Sequence, residues 1–122
     1  MVVLIKRPGS SAEVVKIDNK FATLQKLVEG PIECVYPFKN ALGLIVNEEG
    51  KIQDKEPNFA LVMDGEIYDF VAGTALIVGL TMDDFTDIPQ NLIADIQTAL
   101  NESKIHCIIN NKLIPALEVT TF

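Results

Sequence analysis

An apolar run near the middle of the chain constrains the fold more than any other feature. Residues Thr74 to Leu80 read TALIVGL, with apolar side chains on both of the alternating positions of a strand. A strand with one face in water alternates apolar with polar residues, whereas a strand covered on both faces does not. The run therefore predicts a central strand. We expect the chain to enter it through a reversal in which Gly73 takes a positive φ.

Turn residues predict six more strands before this one, four of them in two hairpins. The segments VVLIK and EVVKI flank a turn from Pro8 to Ser11, and FALVM and EIYDFV flank Asp64-Gly65, so each pair predicts a hairpin. IECVY and ALGLIV predict two further strands. They are followed by an NEEGK turn, in which Gly50 is expected to be the left-handed residue.

Apolar residues at spacings of three and four predict two helices. The first is expected to be capped by Asp18 or Asn19 and stopped by Gly30-Pro31. The second is expected to begin at Asp87 with Pro89 in its first turn. The predicted buried stripes are Phe21, Leu24, Leu27 and Val28 in the first helix, and Leu92, Ile93, Ile96 and Leu100 in the second.

The C-terminal residues predict a strand, an Asn-Asn turn and an extended arm that Pro115 restricts to a sheet edge. The fold class is therefore predicted as α+β, a mostly antiparallel sheet with two helices packed on it and a C-terminal extended arm. Residues 1–102 form the predicted domain and residues 103–122 the extension. Because the extension adds apolar area and an unpaired strand edge, we expect it to make the protein a homo-oligomer.

Composition excludes several classes of function. The 122 residues are 48% hydrophobic and 22% charged, with a net charge of −7, which suits one globular domain and repels a nucleic-acid backbone. The N-terminal apolar run is too short for a signal peptide, and no window approaches the roughly 20 apolar residues that span a bilayer. We expect a cytoplasmic protein with no nucleic-acid or membrane partner, and free thiols at Cys34 and Cys107.

No set of residues predicts catalysis or a cofactor. His106 and Cys107 are neighbours in a strand, so their side chains point to opposite faces. Asp69 shares a strand face with Ile67 and Val71, so it is predicted either to be partly buried with a partner or to lie at the sheet edge. It is the one candidate carboxylate, whereas a glycosidase needs two at a fixed separation. The TMDDF cluster lacks the ligand spacing of a calcium loop, and AGT lacks the lysine and glycines of a nucleotide-binding loop. We therefore expect no enzymatic activity, no metal and no cofactor.

The turn KRPGSS, Lys6 to Ser11, is the best candidate for binding an anion. It combines two cations, backbone N–H groups near Gly9 and two hydroxyls. An ordinary hairpin turn has the same composition, so both interpretations stay open.

Four spaced segments, LVEGPIECVYPF, VNEEGK, EPNFAL and GEIYDFVAGTALIVGL, resemble domain-of-unknown-function family 3846, small proteins of phages, prophages and mobile elements. The likeness covers roughly Val2 to Glu102. It implies an accessory or host-interaction role and supplies no catalytic residue. Two departures concern charge: Phe59 stands where members often have arginine, and Lys6-Arg7 stand where the first turn is usually acidic.

Two functions are consistent with these features. The first is a non-enzymatic sponge that sequesters a nucleotide immune signal, such as a cyclic ADP-ribose isomer; known anti-Thoeris sponges are similar in size and lack of catalytic groups. The second is an inhibitor that presents its acidic middle segment to a basic host protein. For the sponge, we predict one pocket in which aromatic rings stack on the base, Asn or Asp oxygens bind ribose, and cations and N–H groups bind phosphates. The predicted residues are, in that order, Tyr36, Phe38, Tyr68 and Phe85; Asn47, Asn58 and Asp69; and Lys6, Arg7 and Gly9.

Overall fold

Ten strands, two α-helices and a C-terminal 3₁₀-helix make up the computed structural model, which describes all 122 residues. The strands are β1 (Val2–Lys6), β2 (Glu13–Lys16), β3 (Ile32–Val35), β4 (Leu42–Asn47), β5 (Pro57–Met63), β6 (Glu66–Ala72), β7 (Ala75–Leu80), β8 (Phe85–Thr86), β9 (His106–Ile109) and β10 (Lys112–Glu118). The helices are α1 (Phe21–Val28) and α2 (Gln90–Asn101), and the 3₁₀-helix is Val119–Thr121. The predicted α+β class is confirmed.

The strands form two sheets where the sequence predicted one. The first sheet has the order β2-β1-β7-β4-β3, with β8 also paired to β7, and the second has the order β6-β5-β10-β9. All pairs are antiparallel except β5 with β10, which run parallel. The chain passes between the sheets at Gly73, whose φ of 84° confirms the predicted reversal. A positive φ at this corner turns β6 of one sheet directly into β7 of the other.

Strand β7 is the central strand of the first sheet, as predicted. It pairs with β1 on one side and β4 on the other, and both of its faces are buried. One face points to the main core between the two sheets, which contains Ile77 with Phe59, Leu61 and Leu117 of the second sheet. The other face carries Leu76 and Val78 and packs under α1 through Leu24 and Val28.

Helix ends differ from the prediction at two positions. Helix α1 begins at Phe21 with Lys20 as its N-cap, and no side chain caps it, because the Asp18 carboxylate accepts a hydrogen bond from the Thr23 hydroxyl at 2.5 Å. Pro89 is the N-cap of α2 and so precedes its first turn. The predicted stripes are buried at Leu24, Val28, Ile96 and Leu100, whereas Phe21 is exposed.

Gly50 is needed because the backbone of Ala72 comes close to it, and not because it adopts the predicted left-handed conformation. It is absent from the positive-φ residues, whereas Asp54 in the same loop has a φ of 54°. A Cβ on Gly50 would meet the carbonyl oxygen of Ala72 at 2.6 Å, so glycine is needed there for space. The Asp64-Gly65 hairpin is confirmed, with φ values of 52° and 83° that fit a type I′ turn.

The predicted C-terminal arm is an interior part of the second sheet. Strand β10 lies between β5 and β9, and Leu117, Val119 and Phe122 belong to the main core. Pro115 is tolerated because the β5 ladder begins only at Ala116, so its missing N–H breaks no bond there. Truncation after Ser103 would therefore remove part of the core as well as the arm. Oligomerisation through this segment stays a prediction.

Neither helix has the length and apolar character needed to cross a membrane.

Candidate functional site

A cleft of about 340 Å³ lies where the β1–β2 turn faces the β9–β10 hairpin and the end of α2. We call it the turn cleft. Its polar lining consists of Lys6, Gly9, Ser10, Ser11, Asn58, Asn101 and His106, and its apolar lining of Leu100, Leu113, Ile114 and Pro115. It thus brings together the predicted residues Lys6, Gly9 and Asn58.

Lys6 is the most unusual side chain in this cleft. It is only 4% exposed, and its ammonium group donates hydrogen bonds to the carbonyl oxygen of Arg7 at 3.0 Å and to Oδ1 of Asn58 at 2.9 Å. The three ion pairs of the protein join Lys51 to Asp69, Lys55 to Glu29 and Lys112 to Glu56. Lys6 is therefore held by neutral oxygens alone, although buried ammonium groups are usually paired with a carboxylate.

Burial without a counter-ion changes the acidity of this lysine. Desolvation lowers the pKa of Lys6 from 10.5 to about 8. The ammonium form still predominates at neutral pH, and an anion in the cleft would supply the charge that it lacks. Perturbed lysines of this kind are found preferentially at functional sites.

Asn58 fixes Lys6 in place and does not point to a ligand. The residue is fully buried, and its Nδ2 donates to the carbonyl oxygens of Lys6 at 2.7 Å and Gly73 at 2.8 Å, while Oδ1 accepts from Lys6. All its polar atoms are therefore used. These bonds join β1, the Gly73 corner and the Lys6 side chain, so the predicted contact of Asn58 with a ribose would have to replace one of them.

Helix α2 anchors the far end of the β1–β2 turn. Asn101 Oδ1 accepts from the Ala12 N–H at 2.6 Å, and Gln97 Nε2 donates to the Ala12 carbonyl oxygen at 2.9 Å. The turn itself closes through Ser10 N–H to Arg7 O at 3.1 Å, with Gly9 at a φ of 72°. Gly9, Ser10 and Ser11 are exposed, and the two hydroxyls and the Gly9 N–H make no hydrogen bond within the protein. They are free donors beside a buried cation.

The charges around the turn are divided between two depressions. No Asp or Glu lines the turn cleft, in a chain with a net charge of −7. Arg7 lies on the other side of the turn, in a depression that it shares with Lys55 and two glutamates, Glu29 and Glu56. Lys6, Arg7 and Gly9 were predicted to bind one phosphate together. The structure places Lys6 and Gly9 in the turn cleft and the Arg7 side chain in the other depression.

A second cavity, of about 120 Å³, opens between β3–β4 of one sheet and β5–β6 of the other. We call it the intersheet cavity. Its lining includes the predicted residues Asn47 and Asp69, together with Glu33, Glu48 and Lys51. Asp69 forms an ion pair with Lys51, and Asn47 donates to Val28 O at 3.1 Å and Glu29 O at 3.2 Å while it accepts from Glu49 N–H at 2.7 Å. Both predicted ribose ligands are thus engaged with the protein itself.

The four predicted aromatic residues do not form one pocket. Phe38 is 8% exposed within the main core. Tyr36 and Phe85 line a separate depression of about 460 Å³ with residues 80–84. Tyr68 is half exposed on β6 and lines none of the depressions described above. The turn cleft has no aromatic residue of this set, so the predicted stacking face is separated from the predicted phosphate ligands.

Sequence reasoning assigned His106, Leu113 and Pro115 no role in a site, yet they form one wall of the turn cleft. Their strands reach the β1–β2 turn only because β10 pairs with β5. No local pattern signals this long-range pairing. Phe59 is fully buried in the main core and lines none of the cavities described above.

Both thiols have raised pKa values, which makes them poor nucleophiles. Burial is the main cause for Cys34 and for Cys107. The two cysteines are free, as predicted, and neither lines the turn cleft.

A family model described as "Domain of unknown function (DUF3846)" matches residues 1–101. The chain belongs to this family. The match ends at the last residue of α2, so β9 and β10, which complete the second sheet, follow the matched region. Comparison with curated proteins and with solved structures gives no match.

Proposed function

We propose that this member of the DUF3846 family binds a small phosphorylated ligand of the nucleotide class in the turn cleft. We propose further that it sequesters the ligand without turnover, as a phage or mobile-element accessory protein that blunts a host defence in the cytoplasm. The observation that carries the proposal is the buried Lys6 ammonium, which has no carboxylate partner and lines an acid-free cleft.

The cleft offers a phosphate group the donors that it requires. Lys6 supplies the charge, and the hydroxyls of Ser10 and Ser11 with the Gly9 N–H supply neutral donors. Charge-assisted hydrogen bonds of this kind are roughly twice as strong as neutral ones. The binding free energy would include relief of the desolvation that lowers the pKa of Lys6.

The rest of the ligand would lie against the apolar wall opposite the turn. Leu113 is 70% exposed and forms a cross-strand pair with Ile108, while Pro115 pairs with His106. Together they present aliphatic surface and an imidazole ring to a sugar or base. This arrangement replaces the aromatic pocket predicted from sequence with a less specific one, which suits a class of ligands better than a single base.

Sequestration is proposed in preference to catalysis because no nucleophile in the cleft is hydrogen-bonded to a base. His106 lines the cleft together with Ser10 and Ser11, but neither hydroxyl bonds to the imidazole. Lys6 is engaged by two acceptors, and the thiols lie elsewhere with raised pKa values. A bound ligand would therefore be released intact.

Calorimetry against inorganic phosphate, nucleoside mono- and diphosphates, cyclic nucleotides and ADP-ribose isomers tests the proposal. We expect heat with at least one nucleotide and affinity weakened by about tenfold or more in Lys6→Met. Lys39→Met is the matched control, because Lys39 is exposed and forms no ion pair. Heating the complex and chromatography of the released ligand should return the intact molecule.

Three outcomes would change the conclusion. A cleaved ligand would make the protein an enzyme. Equal affinity in Lys6→Met and wild type would place the ligand outside the turn cleft. No heat with any compound would refute nucleotide binding and favour the second candidate function, inhibition of a host protein.

That candidate, an acidic inhibitor of a host protein, has one specific observation in its favour. Met82 is fully exposed at the tip of a loop with Asp83 and Asp84, beside Tyr36, which is 65% exposed. Apolar side chains ringed by carboxylates fit a basic protein surface. Calorimetry with a lysine-rich peptide, and its loss in the double variant Asp83→Asn and Asp84→Asn, would test this candidate.

A further inference from the structure

Strand β9 is the only edge strand of more than two residues that carries no charged residue. Besides the two-residue β8, which pairs only with β7, the two sheets end in four edge strands, namely β2 and β3 in the first and β6 and β9 in the second. Charged residues occur in the first three, at Glu13 and Lys16, at Glu33, and at Glu66 and Asp69. Strand β6 also has an irregular register, whereas β9 reads HCII. Charges and bulges are the usual means by which an edge avoids pairing with another chain.

The segment around β9 also lacks the negative charge that would make two copies of this acidic protein repel each other there. Residues 103–117 include Lys104 and Lys112 and contain no Asp or Glu, although the whole chain has a net charge of −7. Ile105, Ile108 and Leu113 are 52%, 70% and 70% exposed in this segment. Apolar side chains beside an uncharged edge suit self-association, because burying them costs no desolvation of charge.

We propose that two copies of this chain pair antiparallel through β9, which joins their second sheets into one continuous sheet of eight strands. The ladder with β10 fixes which backbone groups are free. Ala116 N–H donates to Ile105 O at 3.0 Å, so alternation places Cys107 and Ile109 in bonded pairs with β10. The N–H and C=O groups of His106 and Ile108 then point away from β10.

Twofold symmetry sets the register of this pairing. Both outward-facing residues are bonded only if His106 pairs with the partner's Ile108 and Ile108 with the partner's His106. Cys107 then faces the partner's Cys107 as a non-hydrogen-bonded pair, with Cα atoms about 4.5 Å apart. That separation is within the range of a disulfide. Ile108 of each copy also extends the wall of its neighbour's turn cleft beside His106.

Oxidative cross-linking at low protein concentration tests the register. We expect a covalent dimer in the wild type and in Cys34→Ser, and none in Cys107→Ser. Covalent dimer that persists in Cys107→Ser, or is missing from the wild type, overturns the proposed pairing.

Light scattering of the full chain tests the edge independently of the thiol. We expect a dimer that Ile108→Pro converts to monomer, because proline removes an outward N–H without touching the β10 ladder. Val14→Pro is the matched control. Val14 is 45% exposed, and its N–H points outward from β2, since the bonded pair in which Ile17 N–H donates to Met1 O lies three pairs away. A wild-type monomer at all concentrations, or a dimer unaffected by Ile108→Pro, overturns the proposal.

Circular dichroism shows whether both proline variants are folded. If Ile108→Pro is unfolded, Ile108→Lys replaces it. The lysine places a charge within the paired edge, so we again expect a monomer. The proposed dimer does not depend on the ligand. A refuted dimer would leave the nucleotide proposal intact, and refuted nucleotide binding would leave the dimer proposal intact.

Discussion

The turn cleft and the intersheet cavity each contain a lysine and a buried asparagine, but they treat the lysine in opposite ways. In the intersheet cavity Lys51 is half exposed and paired with Asp69, and its ammonium lies 4.5 Å from the ring centre of Phe70. In the turn cleft Lys6 is buried and has only neutral acceptors. A compensated cation has little free energy to offer an anion, whereas an uncompensated one has much. This difference is the reason why we propose the turn cleft, and not the intersheet cavity, as the ligand site.

The asparagines sharpen this comparison, and their replacement should have the largest effects. Asn58→Ala would remove the amide partner of the Lys6 and Gly73 carbonyl oxygens and leave the Lys6 ammonium with Arg7 O as its one acceptor, so we expect a loss of about 3 kcal/mol or more in the free energy of unfolding. Asn47→Ala removes three hydrogen bonds to backbone groups near the surface, and about 2 kcal/mol is expected. Urea unfolding measures both.

Anion binding separates the two variants further. Asn58→Ala should also weaken phosphate binding, because it releases the Lys6 side chain, whereas Asn47→Ala should not. Equal phosphate affinity in wild type and folded Asn58→Ala would show that Lys6 needs no positioning by this amide.

The pH dependence of binding should follow the same lysine. Sulfate is the suitable probe, because its charge is constant from neutral to alkaline pH. The ammonium form of Lys6 binds the anion, and the free protein loses that proton with a pKa of about 8. Sulfate affinity should therefore be constant below pH 8 and fall by up to about tenfold per pH unit above it. In Lys6→Met the affinity should be low and independent of pH. A flat wild-type profile between pH 7 and 10 would contradict this.

Local signals in the sequence predicted the elements that depend on neighbouring residues. The Asp64-Gly65 turn, the Gly73 reversal and the doubly buried strand β7 each rest on a few consecutive residues, and all are confirmed. The second sheet was missed because β10 pairs with β5 across more than fifty residues, which no periodicity reports. The turn cleft was found only in part for the same reason. Lys6 and Gly9 stood out as a cation beside a glycine turn, but the partner that positions Lys6 lies 52 residues away.

Arg7 offers a smaller test of how far the cleft extends. It is the single arginine of the chain and is exposed on the far side of the turn, in a depression with two glutamates. We expect Arg7→Ala to weaken nucleotide binding about threefold or less, with an effect that vanishes at high salt, because an exposed cation acts only at long range. Calorimetry at two salt concentrations measures this. A tenfold loss that persists at high salt would show that the ligand reaches across the turn to Arg7.

Lys51→Met should have the smallest effect of all. The Lys51 and Asp69 side chains are 49% and 47% exposed, and exposed ion pairs contribute about 1 kcal/mol or less to the free energy of unfolding. Phosphate affinity should be unchanged, since Asp69 already neutralises this lysine. Asp69→Asn is the informative companion, because it leaves Lys51 without a counter-ion and so makes it resemble Lys6 in charge but not in burial. If burial is what gives Lys6 its affinity, Asp69→Asn creates no second phosphate site in calorimetry. A second site there would show that an unpaired lysine alone is enough, and the buried position of Lys6 would no longer distinguish the two cavities.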